Sequence, residues 1–163
     1  MSFDDFVAAR TAALLRTAYL LTGDQGLAED LLQTALVKVA GRWTGMTPGR
    51  NPESYVRTVL YREAVSKWRR RRVVEVPRED DLADSMAGRL EDEVTLRVSV
   101  ARALDELGRR QRACLVLRYF EDLSETATAH ALGCSVGTVR SQTYRALQQM
   151  RRNHPELVEE VGP

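Results

Sequence analysis

Aromatic side chains are scarce in this 163-residue chain, at 6% of the total, so any core must be built mainly from aliphatic residues. Cysteine is as rare. Cys114 and Cys134 are too few for the disulfide framework of a small secreted domain and fit reduced thiols. Histidine is limited to His130 and His154. His130 stands four residues before Cys134, but two ligands do not hold a zinc ion, so both are read as structural. No apolar run approaches the roughly 18 residues of a membrane span. The greasiest stretch, Leu14 to Leu21, is interrupted by Arg16 and Thr17. The acidic start, Met1-Ser2-Phe3-Asp4-Asp5, lacks the basic region of a secretory signal. The expected location is cytoplasmic. There is no phosphate-binding glycine loop, no metal-ligand set and no Ser/His/Asp or Cys/His grouping. The expectation is a protein without catalytic residues and without a cofactor.

What is present is charge in blocks. The formal net charge of +1 conceals them. Residues 1–66 balance; Lys67-Trp68-Arg69-Arg70-Arg71-Arg72 carries five cations in six positions; residues 73–96 are net −6; residues 97–152 are net +5; the last eleven are net −3. Arginine supplies 22 of the 24 cations, a bias that suits phosphate contact.

Helical periodicity runs through most of the chain, and no alternating strand pattern occurs. The spacing of Phe6, Ala9, Ala13, Leu14, Thr17 and Leu21 predicts a first helix from about Ser2 to Leu21, stopped by Gly23. Asp24 caps a second, running to about Ala40, with Ala28, Leu31, Leu32, Ala35, Leu36 and Val39 inside and Glu29, Asp30, Gln33, Thr34 and Lys38 outside. A loop follows through Gly41, Gly45, Pro48 and Gly49. Asn51 and Pro52 then start a third helix, to about Arg72, that buries Val56, Val59, Leu60, Ala64 and Trp68. Residues 73–92 read as an acidic linker, extendable to roughly 65–70 Å, with room for a short helix over Leu82 to Leu90. Helices resume near Glu93, with Val94, Val98, Ala101, Leu104 and Leu107 on one inner face and Cys114, Leu115, Leu117 and Tyr119 in the next helix. The chain is expected to fray after Arg152. The fold class is all-α: two small helical domains, 1–72 and 93–152, joined by the linker 73–92 and followed by a tail, 153–163.

Residues 124–147 have the spacing of a helix-turn-helix. Ala129 is small where two helices must cross. Gly133 sits where the first must end in a left-handed conformation, and Val139 packs the second back. Ser135 is placed to cap the second helix, which then presents Gly137, Thr138, Arg140, Ser141, Gln142 and Arg145 outward. Ser124 has Ala127 where a glutamate would complete a capping box.

On these residues the chain resembles the extracytoplasmic-function sigma factors, nearest the actinobacterial sigma-E-like members. Ala103-Leu104, Leu107, Gln111-Arg112, Leu117-Arg118-Tyr119-Phe120 and Leu132-Gly133, with Gly137-Thr138-Val139-Arg140-Ser141 before Arg145-Ala146-Leu147, resemble sigma region 4. The resemblance implies that Ser135, Gly137, Thr138, Arg140, Ser141, Gln142 and Arg145 read minus-thirty-five duplex, and that this half touches the polymerase beta flap. Ala28-Glu29-Asp30-Leu31-Leu32-Gln33 is similar to the region 2 helix that docks on the beta-prime coiled coil. That assigns Asp30 and Gln33, with Glu29 and Lys38 beside them, to core-polymerase docking. Asn51 to Val56 and Trp68 to Arg72 resemble regions 2.3 and 2.4. By that likeness the loop around Thr44 to Arg50 accepts a flipped base, and Arg50, Asn51, Tyr55, Arg62, Lys67, Trp68, Arg69, Arg70, Arg71 and Arg72 contact melted minus-ten DNA. The family often has Asn at the position of Arg62 and Glu near Thr34.

The resemblance implies a non-catalytic initiation subunit, with core RNA polymerase and promoter DNA as partners and an anti-sigma factor as a further one. A stand-alone helix-turn-helix regulator explains residues 97–152 equally well but leaves 24–72 without a role, and no heptad seam is available for a dimer. A sequestering interaction protein leaves the basic residues of both halves without one.

Overall fold

The computed structural model describes residues 1–46, 49–74 and 92–161, with side chains except those of 71–74, 92–98 and 159–161. Eight α-helices and no strand occur among them: α1 (Phe3–Thr22), α2 (Gln25–Ala40), α3 (Pro52–Val74), α4 (Asp92–Asp105), α5 (Arg109–Leu115), α6 (Glu125–Leu132), α7 (Val136–Asn153) and α8 (Pro155–Val161). A 3-10 turn, Trp43–Gly45, follows α2, and a π turn, Val116–Phe120, extends α5.

Local chemistry sets the helix ends. Ser2 and Asp5 form a reciprocal capping box on α1. Gly23 ends that helix at φ 75°, and the Asp24 carboxylate accepts the N–H of Leu27 to open α2. A two-residue link forces α1 and α2 into a hairpin. Asn51 Oδ1 accepts the N–H of Glu53 at 3.0 Å beside Pro52, as the spacing predicts.

The first core collects Leu14, Ala18 and Leu21 from α1, Ala28, Leu31, Ala35 and Val39 from α2, and Val56, Leu60 and Ala64 from α3. Ala9, expected inside, is exposed; Trp43 instead covers the start of α1 by packing on Phe3 and Phe6, with ring centroids 5.3 and 5.2 Å apart. Leu36, Val59 and Trp68 are half-buried at the edge of this core. Two residues that periodicity does not flag, Tyr61 and Glu63, are buried because polar partners wait for them.

The second core joins Ala101 and Leu104, Ala113 to Leu117, Ala129, Leu132, Val139, Ala146 and Met150. Tyr119 belongs to the π turn rather than to a continuing helix and is 42% exposed. The tail departs further from expectation. Beyond Arg152 the chain forms α8, which buries Leu157 against the second core. Glu106 anchors the turn: its carboxylate lies 3.0 Å from His154 Nε2 and 3.3 Å from Asn153 Nδ2. Residues 75–91, most of the expected linker and its short helix, lie outside the described residues.

Candidate nucleic-acid and polymerase interfaces

α6 and α7 make the crossed pair that the spacing predicts. Ser124 caps α6 through the N–H of Ala127, Gly133 closes it at φ 67°, and Ala129 and Val139 are buried between the two helices. Because α6 ends at Leu132, His130 and Cys134 do not share a helix, and no metal-holding group of His, Cys, Asp or Glu occurs among the described residues.

Ser135 Oγ accepts the N–H of Thr138 at 3.1 Å, so this hydroxyl serves the cap of α7. Gly137, Arg140, Ser141 and Arg145 are exposed, while Thr138 and Gln142 are half-buried. Two exposed residues on the same face escaped the sequence reading: Tyr144, four positions after Arg140, and Gln148, whose Nε2 donates to the Tyr144 hydroxyl at 2.9 Å. The i, i+4 spacing was a usable signal. Arg140 Nε lies 2.5 Å from Glu125 Oε2 on the first turn of α6. Local periodicity does not announce that partner, fifteen residues away.

The α2 face is an open shelf. Glu29, Asp30, Gln33 and Lys38 are exposed, and Val37, not singled out from sequence, is 73% exposed in their midst. Asp30, Gln33, Thr34, Val37 and Lys38 line a shallow depression together with Lys67 of α3. The structure thus groups Lys67 with the exposed face of α2 rather than with the other cations of α3. Lys38 also pairs with Glu63, whose carboxylate is otherwise buried, so its ammonium stabilises the fold.

The ten residues assigned to melted DNA separate into groups. Arg50 and Asn51 lie at the loop end, exposed; Tyr55 and Trp68 are half-buried against the first core. Arg62 and Arg69, seven apart on one face of α3, reach toward α6: Arg62 Nη2 is 3.4 Å from His130 Nδ1, and a Cβ on Gly133 would sit 3.9 Å from Arg69 Nη2. Arg70 donates to Ser66 Oγ at 3.0 Å. The backbone of α3 carries Arg71 and Arg72, whose side chains lie outside the described residues.

Between the halves sits a polar cluster that no local pattern announces. Glu121, on the segment after the π turn, accepts hydrogen bonds from Arg57 Nη1 (2.6 Å), the Tyr61 hydroxyl (2.7 Å) and the Thr17 hydroxyl (2.6 Å). Arg57 also holds Glu53, at 2.9 Å through Nη2. Burial, followed by the hydrogen bond to Glu121 and its charge, pushes the Tyr61 phenol well above its ordinary range, so it remains a donor. Burial opposes the Arg57 charge, but the hydrogen bond to Glu53 and the charge of Glu121 outweigh it and its pKa is raised.

A pair of compact helical modules, one ending in a capped helix-turn-helix and the other carrying an exposed shelf and a cationic helix, defines a bipartite DNA-binding protein of transcription. Comparison with known proteins makes this specific. Residues 6–73 match Sigma-70 region 2, and residues 97–150 match Sigma-70, region 4. The RNA polymerase sigma-E factor of Streptomyces avermitilis is 40% identical over 151 residues, covering 93% of this chain and 84% of that one. The ECF RNA polymerase sigma factor SigL of Mycobacterium tuberculosis is 30% identical over 154 residues, covering 90% and 85%. Among solved structures, the sigma factor RpoE of Bartonella quintana, in complex with the anti-sigma factor NepR, is similar with a TM-score of 0.66 and 25% identity, covering 92% of this chain and 94% of that one. The chain belongs to the sigma-70 family of RNA polymerase sigma factors, in its extracytoplasmic-function branch. It directs promoter-specific initiation of transcription together with RNA polymerase.

Proposed function

We propose that residues 1–72 dock on core polymerase and capture melted minus-ten DNA, and that residues 93–152 read the minus-thirty-five duplex. The observation that carries this division is the exposed face of α7. Its first turn is capped and offers free N–H groups, and Arg140 and Arg145 flank small residues at 137 and 141, so the helix can lie deep in a major groove. Glu125 engages Arg140 through Nε and so orients the planar fork, leaving both Nη groups to donate to base-edge acceptors.

The α2 shelf supplies docking to the beta-prime coiled coil: exposed acids and amides surround an apolar centre at Val37. On α3, Arg62 and Arg69 to Arg72 carry the cations that track a single strand, with the loop before Asn51 accepting the flipped base. The polymerase carries the chemistry, and the chain contributes no catalytic residue and needs no cofactor. The reading places it in the cytoplasm, where its polymerase is. The anti-sigma partner of the Bartonella RpoE supports an anti-sigma factor as a regulator of this chain too.

Transcription by core polymerase on a pool of genomic fragments tests the assignment. Transcripts that require the added protein, sharing two upstream elements, are expected; core binding without transcripts would contradict it. Reversing the charge of Arg69 and Arg70 is expected to abolish permanganate reactivity at the start site while core binding persists.

A further inference from the structure

The exposed face of α7 continues past its cap and past Arg140. Tyr144, 63% exposed, lies one turn after Arg140, and the exposed Gln148 lies one turn after Tyr144. The Gln148 amide donates through Nε2 to the Tyr144 hydroxyl at 2.9 Å. That bond occupies the phenolic oxygen as an acceptor and leaves its own O–H to be used elsewhere, so the pair presents a donor outward. It also polarises the O–H, which makes the donor stronger, and limits the directions in which the hydroxyl can point.

Position along the helix selects the acceptor. α7 has 18 residues and is therefore about 27 Å long, while a major groove is only about 12 Å wide. In helix-turn-helix docking it is the N-terminal residues of the second helix that meet base edges. Gly137, Thr138, Arg140 and Ser141 occupy those first turns. Tyr144 and Gln148 lie about 6 and 12 Å further along the axis than Arg140, where the helix rises to the rim of the groove and faces the backbone. Chemistry agrees. Phosphate oxygens only accept, whereas base edges mix acceptors with donors, so a fixed donor suits phosphate. Charge agrees as well: Arg145, Arg151 and Arg152 are exposed on this part of α7 and draw phosphate toward it.

We propose that the Tyr144 hydroxyl donates to a backbone phosphate oxygen of the minus-thirty-five duplex, and that Gln148 is a positioning residue that acts through it. The contact is made by a neutral group and carries no sequence information. It fixes the register at which Arg140 and its neighbours meet the bases. The inference rests on the duplex-reading role of α7 proposed above and adds a contact on the backbone beside it.

The test uses the protein assembled with core polymerase, on a promoter duplex recovered from the pool of genomic fragments and on copies substituted in its upstream element. Tyr144→Phe keeps the ring and removes the donor. It is expected to weaken binding about tenfold, the worth of one hydrogen bond to a charged acceptor, and to do so equally on matched and substituted duplexes. Salt dependence should keep its slope, because a neutral donor releases no counterion, whereas Arg145→Gln should lower the slope by about 1. Ethylation interference is expected to lose a single backbone phosphate. Gln148→Ala is expected to weaken binding by about threefold, and to add nothing when combined with Tyr144→Phe. Both side chains are exposed, so helical content should not change. Unaltered binding by Tyr144→Phe, or a loss confined to the matched duplex, overturns the phosphate contact. Losses that add in the double variant overturn the positioning role. Failure of the duplex-reading role itself looks different: the wild type would then bind matched and substituted duplexes alike.

Discussion

Arg140 carries a guanidinium that Glu125 holds at 2.5 Å, and in the proposed reading this side chain is the one that enters the groove. Arg140→Ala is expected to weaken promoter duplex binding by about 1–3 kcal/mol. Glu125→Gln, by contrast, should lower discrimination against a substituted site more than total affinity, because removing an anion favours nonspecific contact with phosphate. Competitive gel-shift titrations on matched and mutated sites check both; equal losses on both sites for Glu125→Gln would remove the orienting role. The cysteines make a second residue-scale case. Burial pushes the Cys114 thiol up to about 11, whereas Cys134 is half-buried on the turn between α6 and α7. One fast equivalent of a thiol reagent is expected, mapped to Cys134 by mass spectrometry, with Cys114 reacting only after unfolding. Because the folded state holds the Cys114 proton more tightly, this group leaves stability intact below its ordinary value of 9.0 and withdraws it as pH climbs through about 11.

At the scale of elements, α8 carries a consequence of its own. It covers the second core with Leu157, which is 4% exposed, and Glu106 ties its start to α4. Leu157→Ala is expected to cost the C-terminal half about 2–4 kcal/mol, read as a lower midpoint in urea. Fraying beyond Arg152 was the natural reading of the sequence, because Asn153 and Pro155 break the α7 pattern and the segment is acidic. Seven residues hold too little periodicity to show that a helix restarts. The helix-turn-helix, in contrast, was fully legible. Its determinants, Ser124, Ala129, Gly133, Ser135 and Val139, are local, each dictated by a cap, a crossing or a left-handed turn. Lys67 was legible as a cation but not as a neighbour of α2. Only the rotation of α3 in its packed setting places it in the depression beside Asp30 and Gln33.

The α2 shelf is exposed, and Arg62 and Arg69 of α3 face α6 while staying exposed themselves, so both proposed contact surfaces are open to a partner. Asp30→Ala combined with Gln33→Ala is expected to lower core-polymerase recovery in a pull-down at least tenfold, with thermal stability unchanged because both side chains lie outside the core. Retained recovery would sink the docking assignment. Lys38 is a poorer probe. Removing it strands the Glu63 carboxylate, and stability falls together with docking.

The sequence by itself determined the all-α class, the helix boundaries to within a few residues, the helix-turn-helix and the family. Each of these rests on contacts between residues close in the chain or on spacing along one helix, where geometry is set by 3.6-residue periodicity and by cap chemistry. Only the tertiary structure decided which polar residues are paired. Glu121 lies 104 residues from Thr17 and 64 from Arg57. Its burial among three donors depends on how one half settles on the other. A carboxylate in a loop reads as solvated until the groups that desolvate and satisfy it are brought together from elsewhere in the chain.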